Sequence, residues 1–140
     1  MPRQSGLELE RVLRALSDRT RLRLFNLLTD QEVCVCYLVE ALNLSQPKVS
    51  RHLAYLRKAG IVAARREGKW MHYRTVSLQN LNLARLVREI QESLSEDKQM
   101  KQDKDRLTRA CCAPHKFVRL QGAPLPASLP KNEMTAERLV

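Results

Sequence analysis

Four cysteines are present, and they fall in two tight pairs, Cys34/Cys36 and Cys111/Cys112. Thiolates are soft donors, and soft donors suit As(III), Sb(III), Cd(II) or Zn(II) better than hard cations. The Cys-x-Cys spacing adds a mechanical constraint. On a regular helix positions i and i+2 point about 200° apart, so two such sulfurs cannot grip one small ion. In extended backbone the same two positions share a face. Ligation at Cys34 and Cys36 therefore favours unwound backbone there. The adjacent Cys111 and Cys112 can bind trivalent arsenic as a pair, and His115 makes a Cys112-x-x-His arrangement suited to zinc or cadmium. The plainer readings are two small buried hydrophobes at 34/36 and two exposed thiols on a flexible tail at 111/112.

The second chemistry is polyanion binding. The 140-residue chain carries a formal charge of +10, which points to nucleic acid before membrane. Residues 45–75 concentrate that charge: Lys48, Arg51, Arg57, Lys58, Arg65, Arg66, Lys69 and Arg74 stand against the single acid Glu67. Gln46, Ser50, Arg51 and His52 are the side chains suited to base edges. Lys48, Arg65, Arg66 and Lys69 are suited to phosphate or an adjoining minor groove. An ordinary solvated helix face is the competing reading for any one of them.

These groups need elements to position them. Leu9, Val12, Leu13 and Leu16 predict an amphipathic helix over about 6–16. Asp18 predicts an N-cap for a helix over 19–29, and Leu38 and Leu42 a short helix over 35–42 closed by Asn43. Ser45 and Pro47 then open a helix ending at Gly60, with Val49, Leu53 and Leu56 on its apolar face. Short helix, tight turn and longer basic helix describe a helix-turn-helix. Residues 61–76 read as a β-hairpin about Glu67-Gly68. A long helix is expected over 77–106, capped by Ser77, with its polar end beyond Ser95 solvated or frayed. Pro114, Pro124, Pro126 and Pro130 mark an extended tail. The fold class is mainly α with a small β-hairpin, a winged helix-turn-helix. Its expected organisation is a DNA-binding and dimerisation domain over 1–106 and a flexible, Cys-bearing tail over 107–140.

The segments Leu16-Ser-Asp-Arg-Thr-Arg-Leu-Arg-Leu-Phe, Val33-Cys-Val-Cys-Tyr-Leu-Val-Glu-Ala-Leu and Leu44-Ser-Gln-Pro-Lys-Val-Ser-Arg-His-Leu, with the hairpin Arg65-Arg-Glu-Gly-Lys-Trp-Met-His-Tyr-Arg, resemble the ArsR/SmtB family of metal-sensing repressors. The resemblance covers residues 8–95, is strongest to the arsenic-responsive branch, and includes the Cys34/Cys36 pair. It implies a homodimer built on the first helix and the long helix after the wing. It also implies a palindromic operator duplex, and As(III) or Sb(III), or a methylated arsenical, as effector through Cys34 and Cys36. One departure matters. The arsenic-responsive pattern carries a third Cys three residues after Cys-Val-Cys, where this chain has Val39, and Tyr37 stands where Asp is common. A third donor would have to come from Cys111 or Cys112 of either subunit, from hydroxide or from a small thiol. Cys111/Cys112 also resembles the C-terminal pair of other arsenic sensors. The zinc-sensing branch needs His on the long helix, and residues 77–95 contain none.

The alternative effectors are Cd or Zn at the same cysteines, or thiol oxidation. A metalloid carrier would leave the basic helix and wing without a purpose. No nucleophile–base constellation or phosphate-binding Gly loop points to an enzyme. No stretch approaches the ~20 apolar residues of a membrane span and no signal peptide is legible, so a cytoplasmic location is expected.

Overall fold

The computed structural model describes residues 2–29 and 31–128. Helix α1 (Pro2–Leu16) leads into α2 (Arg19–Leu27). The break between them is local chemistry: Asp18 is extended, and its carboxylate accepts the Arg21 backbone N–H at 3.0 Å, as an N-cap should. A strand β1 (Gln31–Cys34) then runs directly into α3 (Val35–Leu42). Asn43 closes α3 in the left-handed conformation, φ 54°, which Asn tolerates better than most residues. Ser45 caps α4 (Gln46–Lys58) by accepting from the Lys48 backbone N–H, with Pro47 in the first turn. Gly60, at φ +86°, turns the chain out of α4.

The wing is β2 (Val62–Glu67) paired antiparallel with β3 (Trp70–Thr75), in a register running from Val62 opposite Thr75 to Glu67 opposite Trp70. On its other edge β3 pairs with β1, placing Val33 opposite Tyr73 and Cys34 opposite His72. The sheet order is β2-β3-β1-β4, the last being the two-residue strand Ala127–Ser128 against Gln31–Glu32. Leu24, Phe25, Leu38, Leu53, Leu56 and Ile61 are buried in the core between the helices and this sheet.

The winged helix-turn-helix expected from the sequence is present. One strand was not anticipated, and several expectations give way. Strand β1 lies between the second and third expected helices: Gln31-Glu32-Val33-Cys34 has one strongly apolar residue before Cys34, too little alternation to announce a strand. The long helix over 77–106 is two helices, α5 (Leu81–Leu94), capped by Asn80 rather than Ser77, and α6 (Lys98–Cys112), capped by Asp97. The polar stretch after Ser95 is not frayed but forms α6, which packs on α2 and α3. The boundary drawn at 106/107 therefore falls inside a helix. Beyond it, two 3-10 turns (Pro114–Lys116 and Val118–Leu120) and β4 return the chain to the body, burying Leu120. Pro130 and the rest of the expected tail lie outside the described residues.

Candidate functional site: a basic reading face beside a thiol cluster

Helix α4 buries Val49, Leu53 and Leu56 and leaves Gln46, Lys48 and Arg51 exposed, with Ser50 half-buried. The exposed set therefore lies in the first half of the helix, the part that meets base edges when such a helix enters a major groove. His52 is turned toward α2. Its Nδ1 stands 3.4 Å from an Arg21 guanidinium nitrogen and 3.8 Å from Asp18, and burial lowers its pKa. Arg21, which sequence reading passed over as a surface charge, braces this junction. Its Nε donates to the Ala15 carbonyl at 2.6 Å, and its guanidinium lies 4.0 Å from the Tyr55 ring centroid.

The wing residues differ among themselves. Arg66 and Lys69 are exposed, with the Lys69 ammonium 4.8 Å from the Trp70 ring centroid. Arg65 is exposed as well but is ion-paired with Glu32, at 2.6 Å, and with Glu67, at 3.3 Å. Those carboxylates raise its pKa, and Arg65 in turn lowers that of Glu32. Glu32 escaped the sequence reading because β1 did.

The first cysteine pair sits one helix upstream of α4. Cys34 ends β1 and caps α3 with extended backbone, φ −66° and ψ 142°, and is fully buried. Cys36 lies half-buried in the first turn of α3. The unwound backbone that chelation favours is thus already present at Cys34, and the helix begins immediately after it. Burial, reinforced by the Cys36 thiol and the Glu67 charge, pushes the Cys34 thiol up to about 11.

Cys111 reaches the same region on the last turn of α6, half-buried, its pKa raised by burial and by Cys112. Tyr37 ties the three together. It is fully buried, its hydroxyl has no hydrogen-bond partner among the described residues, and its pKa is raised by burial and then by the charges of Cys111, Cys34 and Cys36. Cys34 lies within the hydrophobic core, and Cys36 and Cys111 pack against it from its margin. Cys112 and His115 are exposed. All four cysteines are free thiols, and among the described residues no three His, Cys, Asp or Glu side chains are already gathered as a metal site.

What brings Cys111 here is a polar clamp. Asp103, fully buried on α6, accepts from Arg23 Nε at 2.8 Å and Nη2 at 2.9 Å, and from Gln99 at 3.0 Å. Asn26 donates to the Met100 carbonyl at 3.2 Å, Arg19 pairs with Asp97 at 2.8 Å, and Arg106 donates to the Glu40 carbonyl at 3.3 Å. Met100, Leu107 and Ala110 complete the buried stripe. A stripe centred on a carboxylate is invisible to an apolar-periodicity search. The only sequence signal was the 3–4 residue spacing of Met100, Asp103, Leu107 and Ala110.

Helix, turn, exposed basic helix and basic hairpin place the chain in the winged helix-turn-helix class. The model of the bacterial regulatory protein arsR family matches residues 18–64. An arsenic resistance transcriptional regulator of Pseudomonas putida, ArsR1, is 55% identical over 64 residues, 45% of this chain and 50% of that protein. An uncharacterized HTH-type transcriptional regulator of Methanocaldococcus jannaschii is 40% identical over 80 residues, 56% of this chain and 90% of that one. A solution structure from Mycobacterium bovis, described as a homodimeric winged helix-turn-helix DNA-binding domain and a possible ArsR-family regulator, superposes with a TM-score of 0.54 at 30% identity. It covers 70% of this chain and 90% of its own. This chain belongs to the ArsR family. It spans about half the length of the arsenic-resistance regulator that it matches. No helix among the described residues is long and apolar enough to cross a membrane.

Proposed function

We propose that this protein is a homodimeric repressor that binds a palindromic operator through α4 and the wing and is released by trivalent arsenic. The observation that carries the reading is the siting of Cys34 and Cys36, at the junction where β1 becomes α3, one short helix before the reading helix. Leu9 and Leu13 on α1, and Leu81 and Leu86 on α5, are exposed apolar side chains on the two helices that would pair the subunits.

Cys111 of the same subunit supplies the third sulfur in place of the residue lost at Val39. Its partial burial against the core, and its electrostatic influence on Tyr37, which Cys34 and Cys36 also reach, support it over the exposed Cys112. The exchange is balanced without net charge: one arsenous acid and three thiols give three As–S bonds and three waters, so no ion need be buried among apolar side chains. Pulling Cys36 and Cys111 onto Cys34 strains the start of α3 and, through it, the seating of α4. A coupling of about 1–3 kcal/mol between the two sites already changes DNA affinity about 5–150-fold. Antimonite offers the same trivalent chemistry and is the nearest competing effector.

The test is operator release by arsenite, followed by fluorescence anisotropy. Cys34→Ser/Cys36→Ser and Cys111→Ser should bind operator like the parent chain but stay bound when arsenite is added. Cys112→Ser should release normally. Normal release by the Cys111→Ser protein would reject Cys111 as the third ligand, and normal release by the double variant would reject the whole site.

A further inference from the structure

A single guanidinium joins the end of α1 to the flank of the reading helix. Helix α1 stops at Leu16, which leaves the carbonyls of its last turn without partners inside the helix. Arg21, half-buried in the first turn of α2, takes up two of them. Its Nε donates to the Ala15 carbonyl at 2.6 Å and its Nη2 to the Arg14 carbonyl at 3.2 Å. The third nitrogen, Nη1, lies 3.4 Å from His52 Nδ1 on α4. The carbon at the centre of the group stands over the Tyr55 ring, 4.0 Å from its centroid. His52 and Tyr55, three apart, lie on one side of α4. Asp18 closes the node: its carboxylate accepts the Arg21 backbone N–H and stands 3.8 Å from His52 Nδ1.

The two helices so joined have different tasks. On α1, Val12, Ala15 and Leu16 are buried in the core, whereas Leu9 and Leu13 are exposed and serve the subunit interface in the dimeric reading. On α4, Lys48 and Arg51 are exposed toward DNA. The path from one reading helix to the other in a dimer therefore runs from α4 through α1 to the partner subunit. Helix α1 also packs directly on α4 and α2, but apolar packing is non-directional. A guanidinium is planar, always charged and carries its donors in a rigid fork. Bonds from that fork to one helix, with its face stacked on the other, fix the angle between them.

We propose that Arg21 is a positioning residue for operator recognition: it locks α4 to α1 and thereby sets the distance and angle between the two reading helices of the dimer. What it selects is the spacing of the operator half-sites, not any one base. One base pair added between half-sites moves one of them by about 3.4 Å and turns it by roughly 35° about the duplex axis. A stiff link rejects that displacement, and a loose one tolerates it. The inference rests on the dimeric-repressor reading and is independent of the cysteines.

The parent chain would first select a duplex from a randomised pool. The selected palindrome would then be remade with one base pair added or removed at its centre, and binding followed by fluorescence anisotropy at fixed salt. The parent should bind the remade duplexes about tenfold or more weakly than the original. In Arg21→Ala that penalty should shrink below the cost of a single mismatched base pair, about fivefold. A merely structural loss would weaken all three duplexes alike, so a parent-like penalty in the variant overturns the proposal. If Arg21→Ala folds poorly, Arg21→Lys takes its place with the same expectation, because it keeps the charge but lacks the fork that spans two helices. A parent chain that selects no palindrome, or binds one as a monomer, would sink the dimeric reading and this inference with it. A selected palindrome with an unchanged penalty in the variant sinks this inference alone.

Discussion

The reading head, α2 to the wing, and the C-terminal arm, α6 to β4, are held by opposite means. The head is an apolar core with conventional stops: Asp18 and Ser45 as N-caps, Asn43 and Gly60 as left-handed exits. The charges of α4 face outward, whereas Arg21 and Arg23 on α2 are turned against neighbouring elements. The arm opens on a polar helix and docks through apolar side chains together with charge turned inward, Asp103 being fully buried against Arg23. The family match at residues 18–64 covers the head as far as the start of β2, whereas the arm lies wholly beyond it. The lesson is that a common DNA-reading fold has been given a particular thiol neighbour by an appended helix, and that the two meet at Tyr37.

The strongest way to break this comparison is to remove the arm's clamp. Asp103→Ala leaves the Arg23 guanidinium buried without its carboxylate, and loss of one partner of such a pair costs about 3–5 kcal/mol. Urea unfolding should show that loss, and limited proteolysis should cut first within α6. A change below about 1 kcal/mol would mean that the arm docks by apolar contact alone.

A smaller effect sharpens the head itself. Arg51→Ala should cost about 1–3 kcal/mol at one operator position and relax base preference there. Arg66→Ala should weaken all duplexes alike and reduce the salt slope by about one. Arg65→Ala should do neither to the same extent, because Glu32 and Glu67 already hold that guanidinium. Binding titrations over a range of salt, on specific and scrambled duplexes, distinguish the three. Arg65 behaving like Arg66 would show that its ion pairs open on DNA.

The smallest effect is a pH dependence of the arm's first turn. The Arg19 guanidinium, then the Met100 backbone N–H, holds the Asp97 carboxyl below its usual range. A depressed folded-state pKa contributes stability that is present above the unfolded value, about 3.9, and is lost as pH falls through the folded value. Stability should therefore decline on acidification below about pH 4, and Asp97→Asn should decline less over that interval. Parallel pH profiles would show that the Arg19–Asp97 pair contributes nothing measurable, as exposed pairs often do.

The residues that repeat at helical spacing, the capping residues and the concentration of Lys and Arg over 45–75 determined the helix-turn-helix, the wing and the exposed reading face. These are local signals: each depends on the chain within a few residues of itself. The nearness of Cys111 to Cys34 and Cys36 depends on a contact across some eighty residues, between Arg23 and Asp103. Neither partner alone differs from any surface charge. The same holds for His72. Only the pairing of β1 with β3 sets it opposite Cys34. Composition and spacing named the thiols. Long-range pairing, by burying charge against charge and strand against strand, chose their neighbours.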